Sequence, residues 1–171
     1  MKNNQRVAST FAAVAILAIG MWLTVPANRA QAAGDPIVVI VNGSNPVDSL
    51  TMGELRKMFL SDRSHWNTGR DVAPVMVAAG APERTSFLRV VCGMNDADFD
   101  RYFLQATFAG KSPTLPKVVG SAQDVRRIVG NSPGAIGFMR SSDFHRDGDS
   151  VIKMVRIDGI APGDAAYRIH M

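Results

Sequence analysis

The chain is poor in cysteine, because Cys92 is the only one among its 171 residues. No intrachain disulfide can therefore form, even in an oxidising compartment. Cys92 ends the apolar run 87–92, in which a thiol behaves as a small hydrophobic group. We therefore expect it to fill space in a core and predict no redox role for it.

Motifs of catalysis and of metal binding are also scarce. Residues 130–134 match the G-x-S-x-G nucleophile motif, but a helix is predicted before it and a strand after it, which reverses the order that the motif needs. Ser150 and Lys153 match S-x-x-K at the start of a predicted strand, where the two side chains point to opposite faces. The three histidines lack metal-ligand spacing, and no calcium loop or glycine-rich phosphate loop is complete. We expect no enzyme, no metal and no cofactor.

Acidic residues are absent from residues 1–32, which instead begin with Lys2 and Arg6. An apolar run over 11–25 follows, and the small residues Ala30 and Ala32 flank Gln31 as in a cleavage site. We predict that 1–32 is a cleaved signal peptide, which places the rest of the chain in the periplasm or outside the cell. The alternative is an uncleaved anchor over 7–27, a length that just spans a hydrocarbon core of about 30 Å; several polar residues and a proline within that range weaken it.

A strong positive charge is missing once that segment is set aside. The whole chain carries 19 Lys and Arg against 15 Asp and Glu, a net charge of +4. Three of the basic residues lie in 1–32, so the rest has 16 basic and 15 acidic residues and a net charge of +1. No basic tract typical of nucleic-acid binders remains, and we expect no nucleic-acid partner.

Residues 33–171 are predicted to form one domain in which strands alternate with helices. The first strand, 37–41, is wholly apolar and β-branched, as expected of a strand covered on both faces. Capping signals begin helices at Thr51, Pro82, Asn95 and Ser121. Further strands are predicted over 72–77, 118–119, 135–139 and 151–157. This order predicts an α/β fold, a three-layer sheet with helices on both faces.

The start of the second helix is the candidate site for an anion. Ala81 has no side chain that could cap the helix, so backbone N–H groups and a partial positive charge are left for a ligand. Arg84, Thr85 and Ser86 lie in the first turns and could add donors, whereas Glu83 would repel an anion. The alternative is an ordinary proline-initiated helix with polar residues on its surface. Ser44, in the loop after the first strand, is a further candidate ligand-binding residue.

Met58-Phe59 stands at the end of the first predicted helix, and Trp66-Asn67 follows it. This arrangement resembles the phosphate-binding substrate proteins of ABC transporters. In that family a capped, leucine-rich helix ends in an isoleucine-phenylalanine pair and a tryptophan-asparagine loop follows; Met58-Phe59 and Trp66-Asn67 hold those places here. Residues 132–138, Ser-Pro-Gly-Ala-Ile-Gly-Phe, are similar to the family's proline-glycine-alanine-isoleucine-glycine-tyrosine segment. The resemblance covers nearly all of residues 33–171 and implies one lobe of a type 2 periplasmic binding protein.

The resemblance also implies a function, with two departures. Family members close two lobes around the ligand, and this chain resembles only one lobe. The family's arginine-x-aspartate-glycine-serine-glycine-threonine loop is replaced by residues 78–85, in which only Thr85 could stand near the last hydroxyl. We expect an exported domain that binds phosphate or another small oxyanion, with a membrane transporter or other envelope protein as partner. The alternatives are a protein-interaction module that lost its ligand, and a homodimer that rebuilds a closed site.

Overall fold

The computed structural model describes residues 34–144 and 151–171, all within the compact unit Ala32–Met171. The predicted signal peptide over 1–32, the alternative anchor over 7–27, and both His145 and Ser150 lie outside the described residues. Within the described ranges, none of the helices combines the length and the apolar character that a membrane crossing requires.

The described residues alternate between strands and helices, as the sequence predicts. The strands are β1 (Ile37–Asn42), β2 (Ser49–Leu50), β3 (Ala73–Val77), β4 (Lys117–Val119), β5 (Ala135–Arg140) and β6 (Ile152–Ile157). The helices are α1 (Met52–Phe59), α2 (Pro82–Phe87), α3 (Asp96–Phe108) and α4 (Ala122–Asn131). A π-helical segment, Leu88–Cys92, continues α2, and a 3-10 turn, Ser141–Asp143, follows β5.

The strands form one mixed six-stranded sheet in the order β2-β6-β1-β5-β3-β4. The first strand, β1, runs antiparallel to both of its neighbours, with Val39 opposite Phe138 of β5 and Val155 of β6. On the other side of β5, strands β3 and β4 run parallel to it and to each other. All six residues of β1 are buried, which confirms the prediction that this strand is covered on both faces.

Two consecutive residues of β5 show that helices cover both faces of the sheet. A Cβ atom on Gly137 would lie 2.6 Å from Val125 of α4, so this residue faces α4. The next side chain points to the opposite face, where the ring of Phe138 stacks on Phe87 of α2 at 3.9 Å and lies 5.8 Å from Phe59 of α1. The predicted three-layer α/β architecture is therefore confirmed.

The capped helix near the start of the domain also forms as predicted. The hydroxyl of Thr51 accepts a hydrogen bond from the amide of Glu54, and the Glu54 carboxylate accepts one from the amide of Thr51, which completes the capping box. Leu55, Met58 and Phe59 form its buried face. The indole of Trp66 is buried and donates to the carbonyl of Gly134 at 2.9 Å, tying the loop after α1 to the start of β5.

Some details differ from the sequence-based expectation. Pro74 suggests an edge strand or an irregular start, yet β3 lies inside the sheet. The proline fits because β4 pairs only from Val75 onward, so no donor is needed on that side of residue 74. Glycine often ends a helix, yet α4 continues through Gly130 to Asn131. The two-residue strand β2 and the π-helical segment were not predicted.

Candidate functional site

The candidate site lies at the end of the sheet where β3 and β5 finish. These strands are parallel, so their carboxyl ends meet at the same edge. The chain leaves β3 at Val77 and turns at Gly80, whose φ of +83° is a conformation that glycine adopts without strain. Helix α2 then begins with Ala81 as its N-cap, and no side chain caps it. The structure thus confirms that this helix start lacks a side-chain cap.

Solvent reaches this helix start unevenly. Gly80, Pro82 and Thr85 are exposed, whereas Glu83 and Ser86 are buried, at 7% and 6% exposure. The hydroxyl of Thr85 lies 3.5 Å from a carboxylate oxygen of Asp96, at the outer limit of a hydrogen bond. Of the predicted hydroxyl donors, Thr85 is therefore the one that faces solvent beside the helix start.

Arg84 points into the protein and is only 3% exposed. Its Nε donates to Asp96 at 2.6 Å, and its Nη1 donates to the carbonyl of Val77 at 3.1 Å. A second carboxylate, that of Asp100, lies 3.8 Å from Nη2, and the guanidinium sits 5.7 Å from the centre of the Phe99 ring. The charge of Arg84 is therefore already neutralised by the start of α3, and an anion would have to compete with Asp96 for it.

Asp96 has this role because of how α3 begins. Asn95 caps the helix by accepting a hydrogen bond from the amide of Asp98, which fixes Asp96 in the first turn. Acidic residues in the first turn of a helix interact favourably with the positive end of the helix dipole. The structure shows that Asp96 also pairs with Arg84, twelve residues earlier, and so links α2 to α3. An arginine shortly before an acid-rich helix start is the signal that could have predicted the pair.

Further carboxylates lie at the same end of the sheet. Arg140, the last residue of β5, donates to Asp143 at 2.9 Å. The hydrogen bond from Arg140 to Asp143 and the charge of that carboxylate, followed by the charge of Glu83, raise the pKa of Arg140. Both arginines near the start of α2 are thus paired with carboxylates, and Glu83 adds a further negative charge.

Ser44 lies at the opposite end of the sheet. Because β1 is antiparallel to β5, the residues that follow β1 lie where β5 begins. The hydroxyl of Ser44 donates to the side chain of Asn42 at 2.7 Å, and Asn42 in turn donates to the carbonyls of Val129 and Gly130 at the end of α4. A six-residue strand is about 17 Å long. The structure thus brings Arg84, Thr85 and Ser86 together and leaves Ser44 apart from them.

The catalytic and metal motifs weighed in the sequence also have a place in the fold. Ser132 of the G-x-S-x-G match is the C-cap of α4 and lies just before β5, so a helix precedes it and a strand follows. No cluster of three histidine, cysteine or acidic side chains that could hold a metal ion occurs in residues 34–144 and 151–171. Burial raises the pKa of the Cys92 thiol to about 12, which keeps it protonated at neutral pH.

No family model matches the sequence. Among solved structures, a Clostridium perfringens protein assigned as a phosphate ABC transporter substrate-binding protein, with bound phosphate, aligns with a TM-score of 0.60 and 18% identity, covering 75% of this chain and 47% of that one. An ABC-type phosphate transport receptor from Vibrio cholerae aligns at 0.59 and 21% identity, over 75% and 48%. PstS from Borrelia burgdorferi aligns at 0.63 and 12% identity, over 79% and 54%.

The chain has the fold of these proteins. The resemblance noted in the sequence is therefore confirmed for the architecture. The chain spans about half the length of the solved proteins that it matches. Within this fold, the candidate site consists of the carboxyl ends of β3 and β5 and the start of α2.

Proposed function

We propose that the chain is an exported domain that binds phosphate or a similar small oxyanion, in support of uptake through a membrane transporter or of sensing in the cell envelope. The observation that carries the proposal is the similarity of its fold to that of phosphate-transport proteins. The start of α2 supports it, because no side chain caps this helix and Gly80 is exposed. Pro82 has no N–H, and the amide of Ala81 donates to the carbonyl of Ala78 at 3.4 Å, so the donors left for an anion are few. Periplasmic location and the absence of an enzymatic activity are parts of the same proposal.

The charges around α2 set the expected strength of binding. Arg84 is neutralised by Asp96, and Glu83 places a negative charge in the first turn. Tight oxyanion sites surround the ligand with donors, whereas this helix start offers donors from one side only. We therefore expect an affinity for phosphate in the micromolar to millimolar range, weaker at high salt because screening reduces long-range attraction.

Calorimetric titration of the purified chain with inorganic phosphate tests the proposal. Thr85→Val removes the exposed hydroxyl and should weaken binding about threefold to tenfold, the effect of losing one hydrogen bond. Glu83→Gln removes a repelling charge and should strengthen binding about threefold at low salt. Ser44→Ala, at the other end of the sheet, is the matched control and should leave the affinity unchanged. No heat at millimolar phosphate, or equal affinity in all four proteins, would refute the site.

The second candidate function is a protein-interaction module that kept the fold without the ligand. The inward pairing of Arg84 favours it, since this cation is not available to an anion. Apolar side chains exposed on and after α3 also favour it: Leu104 at 57%, Phe108 at 83% and Leu115 at 64%.

Sedimentation of the purified chain with and without phosphate separates self-association from ligand binding. A phosphate-dependent dimer would support the closed homodimeric site. A monomer that binds no phosphate would favour the interaction module.

A further inference from the structure

The last residues of the chain form a strap, residues 160–171, that returns from β6 to the beginning of β1. The carbonyl of Ile169 accepts from the amide of Ile37 at 2.9 Å, and the amide of Met171 donates to the carbonyl of Asp35 at 3.2 Å. The buried hydroxyl of Tyr167 donates to the carbonyl of Ile37 at 2.8 Å. The strap thus fixes the segment through which the chain enters the sheet.

The imidazole of His170 connects this strap to the entering segment through both of its nitrogens. Nε2 lies 2.6 Å from the carbonyl oxygen of Tyr167, and Nδ1 lies 3.1 Å from the carbonyl oxygen of Gly34. Carbonyl oxygens only accept hydrogen bonds, and a neutral imidazole has one N–H donor whereas an imidazolium has two. Only the protonated ring can make both bonds at once.

We propose that His170 is a protonation-dependent clasp that holds the C-terminal strap against the segment entering β1. When the ring is protonated, it donates to Gly34 and to Tyr167 together. When it loses a proton, one nitrogen becomes an acceptor that faces a carbonyl oxygen, and that bond is replaced by repulsion between lone pairs. The clasp is therefore tighter when the ring is protonated and looser once the ring has lost its proton.

Among the neighbouring ionisable groups, we attribute the pH dependence of the clasp to His170 alone. The ring of Tyr167 lies 5.8 Å from that of His170, and burial raises the pKa of the Tyr167 phenol, so the phenol stays neutral at both pH 5.5 and pH 8.0. Besides the carboxylate of Met171, the other ionisable groups on the entering segment, at the end of β5, in the turn after it and on the strap are Asp35, Arg140, Asp143, Asp164 and Arg168. Asp35 accepts from Ser142, Arg140 pairs with Asp143, and Asp164 accepts from the amide of Ala161. Within the described residues none of them is hydrogen-bonded to the imidazole.

Hydrogen exchange of the full-length chain at pH 5.5 and pH 8.0 tests the clasp. After correction for the intrinsic rate at each pH, protection of the Ile37 and Met171 amides should fall about tenfold at the higher pH, the effect of losing a charge-assisted hydrogen bond. The amides that join β1 to β6 serve as internal controls and should not change. In His170→Gln, which is uncharged at both values, protection should be the same at pH 5.5 and pH 8.0, whereas His65→Gln should behave as the unaltered chain does.

Two results would overturn the clasp. One is equal protection of the Ile37 amide at both pH values in the unaltered chain; the other is a pH dependence that persists in His170→Gln. Should this variant fail to fold, nitrogen chemical shifts of the His170 ring in the unaltered chain decide. Protonation of the ring and protection of Ile37 must share one midpoint, and separate midpoints would refute the coupling.

Discussion

Arg84 offers a sharp test of the structure because it is buried and has specific partners. In Arg84→Met the apolar stem is preserved, while the hydrogen bond to Asp96 and the bond to the Val77 carbonyl are lost. A hydrogen bond to a charged partner contributes about 1.5–3 kcal/mol, and a buried carbonyl without its donor costs about 1 kcal/mol. Asp96 recovers part of its hydration, because 26% of its side chain is exposed. We therefore expect the free energy of unfolding to fall by about 3 kcal/mol.

Urea denaturation followed by far-ultraviolet circular dichroism measures this loss. With an m-value of about 2 kcal/mol/M, typical of a domain of this size, the midpoint should move down by about 1.5 M. Arg101→Met is the matched control, because Arg101 pairs with Asp98 on the same helix with 63% of its side chain exposed. Exposed ion pairs contribute about 0.5 kcal/mol. If the two variants were equally stable, the view of Arg84 as the link between α2 and α3 would be wrong.

Two further substitutions test the packing and the capping. Gly137→Ala should lower the free energy of unfolding by about 1–3 kcal/mol in urea, because its methyl group would overpack against Val125 at 2.6 Å; Val125→Ala in the same chain should restore part of the loss. Glu54→Gln should lower the free energy of unfolding by about 1 kcal/mol at pH 7. The hydrogen bond from the Thr51 amide, and then Arg63, lower the pKa of Glu54. The difference in free energy of unfolding between the unaltered chain and Glu54→Gln should therefore vanish as the pH falls through that pKa. An unchanged difference at pH 3 would contradict this prediction.

Most of the fold could be predicted from local patterns in the sequence. The capping box at Thr51 and the cap at Asn95 depend on residues three positions apart, so both can be recognised in the sequence. The structure confirms both. Likewise, the unbroken apolar run of β1 reports burial on both faces. The two-residue strand β2 carries no such pattern, since its pairing depends entirely on β6.

The candidate site was predicted less completely because its geometry depends on distant partners. The pairing of Arg84 with Asp96 requires α2 and α3 to meet, and no local pattern fixes how they meet. Similarly, the position of Ser44 follows from the antiparallel pairing of β1 with β5, which the order of elements alone does not give. A sequence therefore shows that Ser44 and Thr85 both lie in loops or helix starts, but not that a whole strand length separates them.

The central claim is that a small oxyanion binds where β3 ends and α2 begins. Titration of the isotopically labelled chain with inorganic phosphate, followed by amide chemical shifts, tests it residue by residue. We predict saturable shifts at the amides of Gly80 and Glu83 and none at Ser44, with chloride at matched ionic strength as the control for screening. The claim would be contradicted if the amide signals of residues 80, 81 and 83–85 did not shift at millimolar phosphate, or if shifts were scattered evenly over the surface.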